Sequence, residues 1–133
     1  MQLSFQVNKN INQVVEYLSN MQKFASVHPV ISHIDDKGNN NYLVHETLKL
    51  GFIPFSFTYP VTIEISDLNK RIFYRATVFK FTTVEMKFEL KSNNGFTIVE
   101  EDIQFKSIFP VKFIMQKIFK KQHTQLFKNI ELQ

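Results

Sequence analysis

Without a single cysteine among its 133 residues, this chain must draw any reactive side chain from its carboxylates, its four histidines and its hydroxyl groups. Disulfide scaffolds, thiolate metal sites and cysteine nucleophiles are excluded at once. No HExxH stretch is present, the histidine spacings suggest no metal set, and serine and histidine never meet in a nucleophile motif. Two carboxylates break the pattern around them. Glu46 lies between Val44 and Leu48, and Glu101 between Val99 and Ile103. Residues two apart share one face of a strand, so both acids fall on apolar faces. A carboxylate in a dry interior costs several kcal/mol unless paired or protonated. Burial also raises its pKa toward neutrality, as acid–base work requires. Such an acid serves as a polar anchor for a ligand, as a catalytic group, or merely sits wet at a bulge or cavity mouth. His28, beside Pro29 at a bend, is the third candidate. His33 and His45 read as outward strand positions, and His123 as a structural residue near the lysines of the last segment.

The elements that must position these groups follow from periodicity. Leu3, Phe5 and Val7 alternate as in a strand, and Ile11, Val14, Val15 and Leu18 repeat at helical spacing, with Asn8 or Asn10 as cap. A short helix over 21–27 must end before Pro29. Strands are expected at 30–35, 41–50, 55–65, 71–78, 81–91 and 96–107, separated by the turn clusters DDKGNN, GFIP, DLNK and SNNG. The chain closes on a long helix with a stripe of Val111, Ile114, Met115, Ile118, Gln122, Leu126 and Ile130. Short turns between consecutive strands make an antiparallel meander, and the last helix supplies the apolar stripe that covers it. The fold class is therefore α+β: an antiparallel curved sheet of about seven strands gripping a long C-terminal helix, with two short helices after the first strand. Residues 1–133 form one domain.

Four-residue loops assign the faces. A loop at Asp67–Lys70 pairs Ile65 with Ile72, Ile63 with Tyr74 and Val61 with Ala76. A loop at Ser92–Gly95 pairs Phe88 with Val99, Met86 with Glu101 and Val84 with Ile103; its outer face then sets Lys87 against Glu100 and Glu85 against Asp102. Around GFIP, Leu48 meets Phe57, Glu46 meets Tyr59 and Val44 meets Val61. Tyr59, directly opposite Glu46, is its expected hydrogen-bond donor. Arg75 faces solvent.

The chain resembles the helix-grip superfamily of START-like, polyketide cyclase-like and pollen-allergen-like proteins (SRPBCC) over nearly its whole length. The resemblance rests on FASVHPVISHI, on GFTIVEEDIQF, and on the IFP that precedes the last helix. It implies a sheet curled around that helix with an apolar cavity between them, and a role in binding or carrying a lipid, isoprenoid or polyketide-like molecule. The expected ligand-binding set is His28, Glu46, Phe57, Tyr59, Val61, Tyr74, Met86, Phe88, Val99, Glu101, Ile114 and Ile118. No cofactor, metal or catalytic residue is assigned. The alternative is a polyketide cyclase or aromatase-like enzyme using a cavity carboxylate as acid or base.

Charge adds a second theme. The net charge of +4 comes from Lys112, Lys117, Lys120, Lys121 and Lys128 on the last helix, against Glu131 alone; elsewhere charges cancel. The GFIPF tip is apolar where hairpin tips are usually polar. Phe52 and Ile53 either fold back as a lid or, with those lysines, form a peripheral membrane contact. Nucleic acid is not expected, since Arg71 and Arg75 lie outside the helix. No leader or membrane-length apolar run is visible, and the expected location is cytoplasmic.

Overall fold

The structure, a computed structural model, describes residues 1–66 and 68–133, and the backbone alone at Leu50. Asp67, the first residue of the expected DLNK turn, lies outside the described residues. The chain opens with β1 (Gln2–Val7) and two short helices, α1 (Ile11–Ser19) and α2 (Met21–Val27). Asn10 starts α1 by accepting from the Asn12 N–H at 2.8 Å. Asn20 then serves both helices: its N–H reaches Glu16 O, and its side chain accepts from the Gln22 and Lys23 N–H groups. This double cap produces a sharp corner, and α2 stops at His28, immediately before Pro29.

Six strands follow: β2 (Ile31–Asp36), β3 (Asn41–Leu50), β4 (Ile53–Ser66), β5 (Arg71–Val78), β6 (Thr82–Asn93) and β7 (Phe96–Ser107). With β1 they form an antiparallel seven-stranded sheet in the order β1-β7-β6-β5-β4-β3-β2. The helix α3 (Lys112–Glu131) closes the chain. Its C-terminal half buries Gln122, His123, Leu126, Phe127 and Ile130, while Phe113 and Ile114 near its start are exposed. Phe127 stacks on Phe5 at 4.5 Å and meets Phe88 edge-on at 6.2 Å, locking that half to the sheet. The Tyr74 hydroxyl donates to Leu18 O, tying the sheet centre to α1.

The β4–β5 pairing is the expected one, with Ile65 opposite Ile72, Ile63 opposite Tyr74 and Val61 opposite Ala76. Two other registers are corrected by two residues. Phe88 pairs with Glu101, Met86 with Ile103 and Val84 with Phe105, because the β6–β7 turn is the two-residue Asn94–Gly95. Both turn residues have positive φ (50° and 87°), the geometry that matches strand twist in a two-residue hairpin. Lys87 consequently faces Asp102 rather than Glu100, Glu100 faces Glu89, and Glu85 faces Gln104. In the β3–β4 hairpin the turn is Gly51–Phe52, so Leu48 meets Phe55, Glu46 meets Phe57, Val44 meets Tyr59 and Tyr42 meets Val61. A shift of two leaves every side chain on its expected face.

Candidate functional site

The inner face of the sheet, α2 and the first half of α3 enclose a cavity of about 460 Å³. Its walls are mostly apolar because β3, β4, β5 and β6 each present alternate residues to it. Of the expected residues, His28, Glu46, Phe57, Tyr59, Val61 and Tyr74 line the cavity, as do Met86, Ile114 and Ile118. Phe88, Val99 and Glu101 do not. They are fully buried in the packed end of the molecule, where Phe88 lies against Phe127 and His123. Phe88 and Val99 are thus core residues rather than wall residues, and Glu101 reaches the cavity only through His123.

Polar groups gather at one place on this apolar wall. The Tyr59 hydroxyl donates to Glu46 Oε2 at 2.6 Å. Burial pushes the Glu46 carboxyl above the usual carboxylate range, opposed by the Tyr59 hydrogen bond and by nearby His123 and Gln122. Burial, reinforced by the Glu46 carboxylate, pushes the Tyr59 phenol well above its ordinary value, so it stays a donor. His28 Nδ1 accepts from the Val30 N–H at 3.3 Å, which leaves the proton on Nε2. Burial, with His123 close by, lowers the His28 pKa to about 3, so this imidazole is neutral at physiological pH.

His123, which sequence position suggests is a structural residue near lysines, is buried, lines the cavity and is the partner that Glu101 requires. Its Nδ1 lies 2.5 Å from Glu101 Oε1. The carboxylate fixes the ring and holds a proton on Nδ1, so Nε2 is the nitrogen left for other chemistry. Glu101 Oε2 is buried with no hydrogen-bond partner among the described residues. The His28 and His123 rings meet edge to face at 6.2 Å. One signal in the sequence points to His123: Phe119, His123, Phe127 and Ile130 form a helical stripe beside the one headed by Gln122. Chemically, the set offers two donors, the Tyr59 hydroxyl and His28 Nε2–H, and two groups able to exchange a proton, Glu46 and His123.

At the other end the cavity opens. Phe79, Phe109 and Ile114 line it and are more than half exposed at 57, 52 and 63%. Phe79 and Lys80 adopt positive φ (52° and 65°) in the β5–β6 turn, a conformation that costs roughly 1–2 kcal/mol for each non-glycine residue. Phe79 is held there against Phe57, with ring centroids 5.1 Å apart, and Phe57 in turn lies 5.8 Å from Tyr59. An aromatic ladder therefore runs from the mouth to Glu46. Phe52 and Ile53 do not fold back as a lid: at 102 and 72% exposure they project from the β3–β4 turn. Phe113 and Ile108 are exposed as well, and Lys49, Lys80, Lys112 and Lys117 are exposed on the same turns and on the start of α3. No helix among the described residues is long and apolar enough to cross a membrane.

A sheet that curls around its last helix over an internal cavity is the helix-grip, START-like architecture. The chain belongs to the CoxG family of carbon monoxide dehydrogenase subunits, whose sequence model matches residues 4–107. No curated protein sequence matches the chain. Among solved structures it is similar to a START superfamily protein from Mycobacterium smegmatis, at 14% identity and a TM-score of 0.78, covering 98% of this chain and 93% of that one. Ara h 8.0201 gives 14% identity and a TM-score of 0.77 with the same coverage. The Zhui aromatase/cyclase of a Streptomyces species gives 9% and 0.70, covering 98% of this chain and 90% of that one. At these identities the likeness is one of fold.

Proposed function

We propose that this protein binds a hydrophobic small molecule carrying one polar end, and that it exchanges this molecule with a lipid surface docked at the cavity mouth. The observation that carries the reading is the polarity gradient along one cavity. A polar cluster of Glu46, Tyr59, His28 and His123 lies at one end and a ring of exposed aromatics at the other. Such a space suits an acyl, isoprenoid or polyketide-like body whose carbonyl or hydroxyl reaches the Tyr59–Glu46 pair. A volume of about 460 Å³ falls within the usual size of small-molecule sites. Phe52, Phe79 and Phe113 would insert among lipid tails while the surrounding lysines meet anionic headgroups.

The test is a cavity-filling variant. Ile118→Trp places a large ring at a wall position away from the mouth and should abolish uptake of a fluorescent fatty-acyl probe while leaving vesicle binding unchanged. Full probe uptake by this variant would contradict the reading.

A second reading has one observation in its favour, the Glu101–His123 pair beside Glu46. In a cyclase-like enzyme His123 would take a proton from a polyketide-like substrate and Glu46 would return one to its carbonyl oxygen. Glu46→Gln separates the readings, since a binder keeps its ligand and an enzyme loses turnover.

A further inference from the structure

On the outer face of the sheet, away from the cavity, His33 and His45 are directly opposed across β2 and β3. Their rings stack at 3.7 Å with an interplanar angle of 20°. Asp35, two residues along from His33 and on the same face, reaches both: His45 Nε2 donates to its Oδ2 at 2.7 Å, and His33 Nε2 lies 3.9 Å from its Oδ1. One ligand atom from each of the three residues falls within 4.8 Å of the others. A β-bulge creates this arrangement. The register shifts between Ile31, opposite Glu46, and His33, opposite His45, so Ser32 is an extra residue on β2. Without the bulge, His33 would oppose Val44 on the inner face.

We propose that His33, Asp35 and His45 bind one divalent first-row transition ion, with zinc the preferred occupant. Two imidazoles and one carboxylate are the donor set that zinc, copper or nickel accepts, whereas magnesium and calcium require oxygen donors. Tetrahedral zinc takes ligands at about 2.0–2.2 Å, which sets donor atoms roughly 3.5 Å apart. Small side-chain rotations on an open face bring the three donors to that spacing. The fourth position is left to water. Because β2 is the edge strand of the sheet, the ion would clamp that edge to β3 at the point where the bulge interrupts its ladder.

Zinc chloride titrated calorimetrically into the metal-stripped full chain should show one ion per chain, with a dissociation constant of about 10 µM or tighter. His33→Ala and His45→Ala should each weaken it at least tenfold, and magnesium should give no heat. In the unsubstituted protein, histidine NMR signals report the same site without relying on the variants. Two of the four histidines, His33 and His45, should shift with zinc, while His28 and His123 should not. Absence of zinc uptake at 100 times that concentration, unchanged affinity in either alanine variant, or shifts confined to His28 and His123 would overturn the proposal.

Discussion

Tyr59 donates to Glu46 along a diagonal of the β3–β4 hairpin, at 2.6 Å, although the residue directly opposite Glu46 is Phe57. The diagonal suits a long side chain, because tyrosine carries its hydroxyl well past its own Cβ. The pair thus gives a carboxyl group on an apolar wall one firm donor, while burial keeps its pKa raised.

That raised pKa predicts how stability changes with pH. A carboxyl with a folded pKa above its unfolded value contributes stability below about pH 4.5 that is lost as pH rises through the folded value. Glu46→Gln keeps an acceptor for Tyr59 and abolishes the charge. It should match the parent near pH 4 and melt a few degrees higher at pH 8. Equal melting temperatures at both pH values would show that Glu46 is not held out of water.

His28 predicts the opposite slope. Its folded pKa of about 3 lies below the unfolded 6.5, so its contribution is intact above pH 6.5 and falls as pH drops toward 3. Each pH unit in that window costs about 1.4 kcal/mol. His28→Gln should flatten the melting profile between pH 6.5 and 5, and a parallel profile would count against a buried neutral imidazole.

The Glu101–His123 pair should reveal itself through non-additivity. Glu101→Leu strands His123 beside an apolar residue and should cost about 3–5 kcal/mol in chemical denaturation. Adding His123→Leu should recover part of the loss, because two apolar side chains can pack where one unpaired polar group cannot. Additive losses would mean the two residues do not act as a unit.

The cavity mouth should respond to salt. Binding to vesicles containing anionic lipid should weaken between about 50 and 500 mM salt. Phe52→Ser should weaken it at every salt concentration, since it removes apolar insertion rather than charge. Neutral vesicles binding as well as anionic ones would leave the lysines without a role.

Much of this fold can be read from alternation alone. Glu46 and Glu101 fall on the inner face by parity, and parity survives a register shift of two, so an overlong turn at Asn94–Gly95 or Gly51–Phe52 misplaces partners without turning any side chain around. What parity does not encode is depth along a strand. Val99 and Phe88 share a face with Met86, yet Met86 lines the cavity and the other two are packed beneath Phe127 and His123. His123 itself is obscured by Lys120, Lys121 and Lys128, which occupy the other side of the same helix. The His33–Asp35–His45 cluster depends on a bulge, and no linear spacing displays it.

The central claim is that the cavity holds a hydrophobic molecule, and native mass spectrometry of the protein as purified tests it most directly. The account predicts a bound species released on activation and identified as an apolar compound with a carbonyl, hydroxyl or similar polar end. It also predicts that Ile118→Trp purifies without that species. A protein that emerges empty and refuses both fatty-acyl and polyketide-like probes would contradict it.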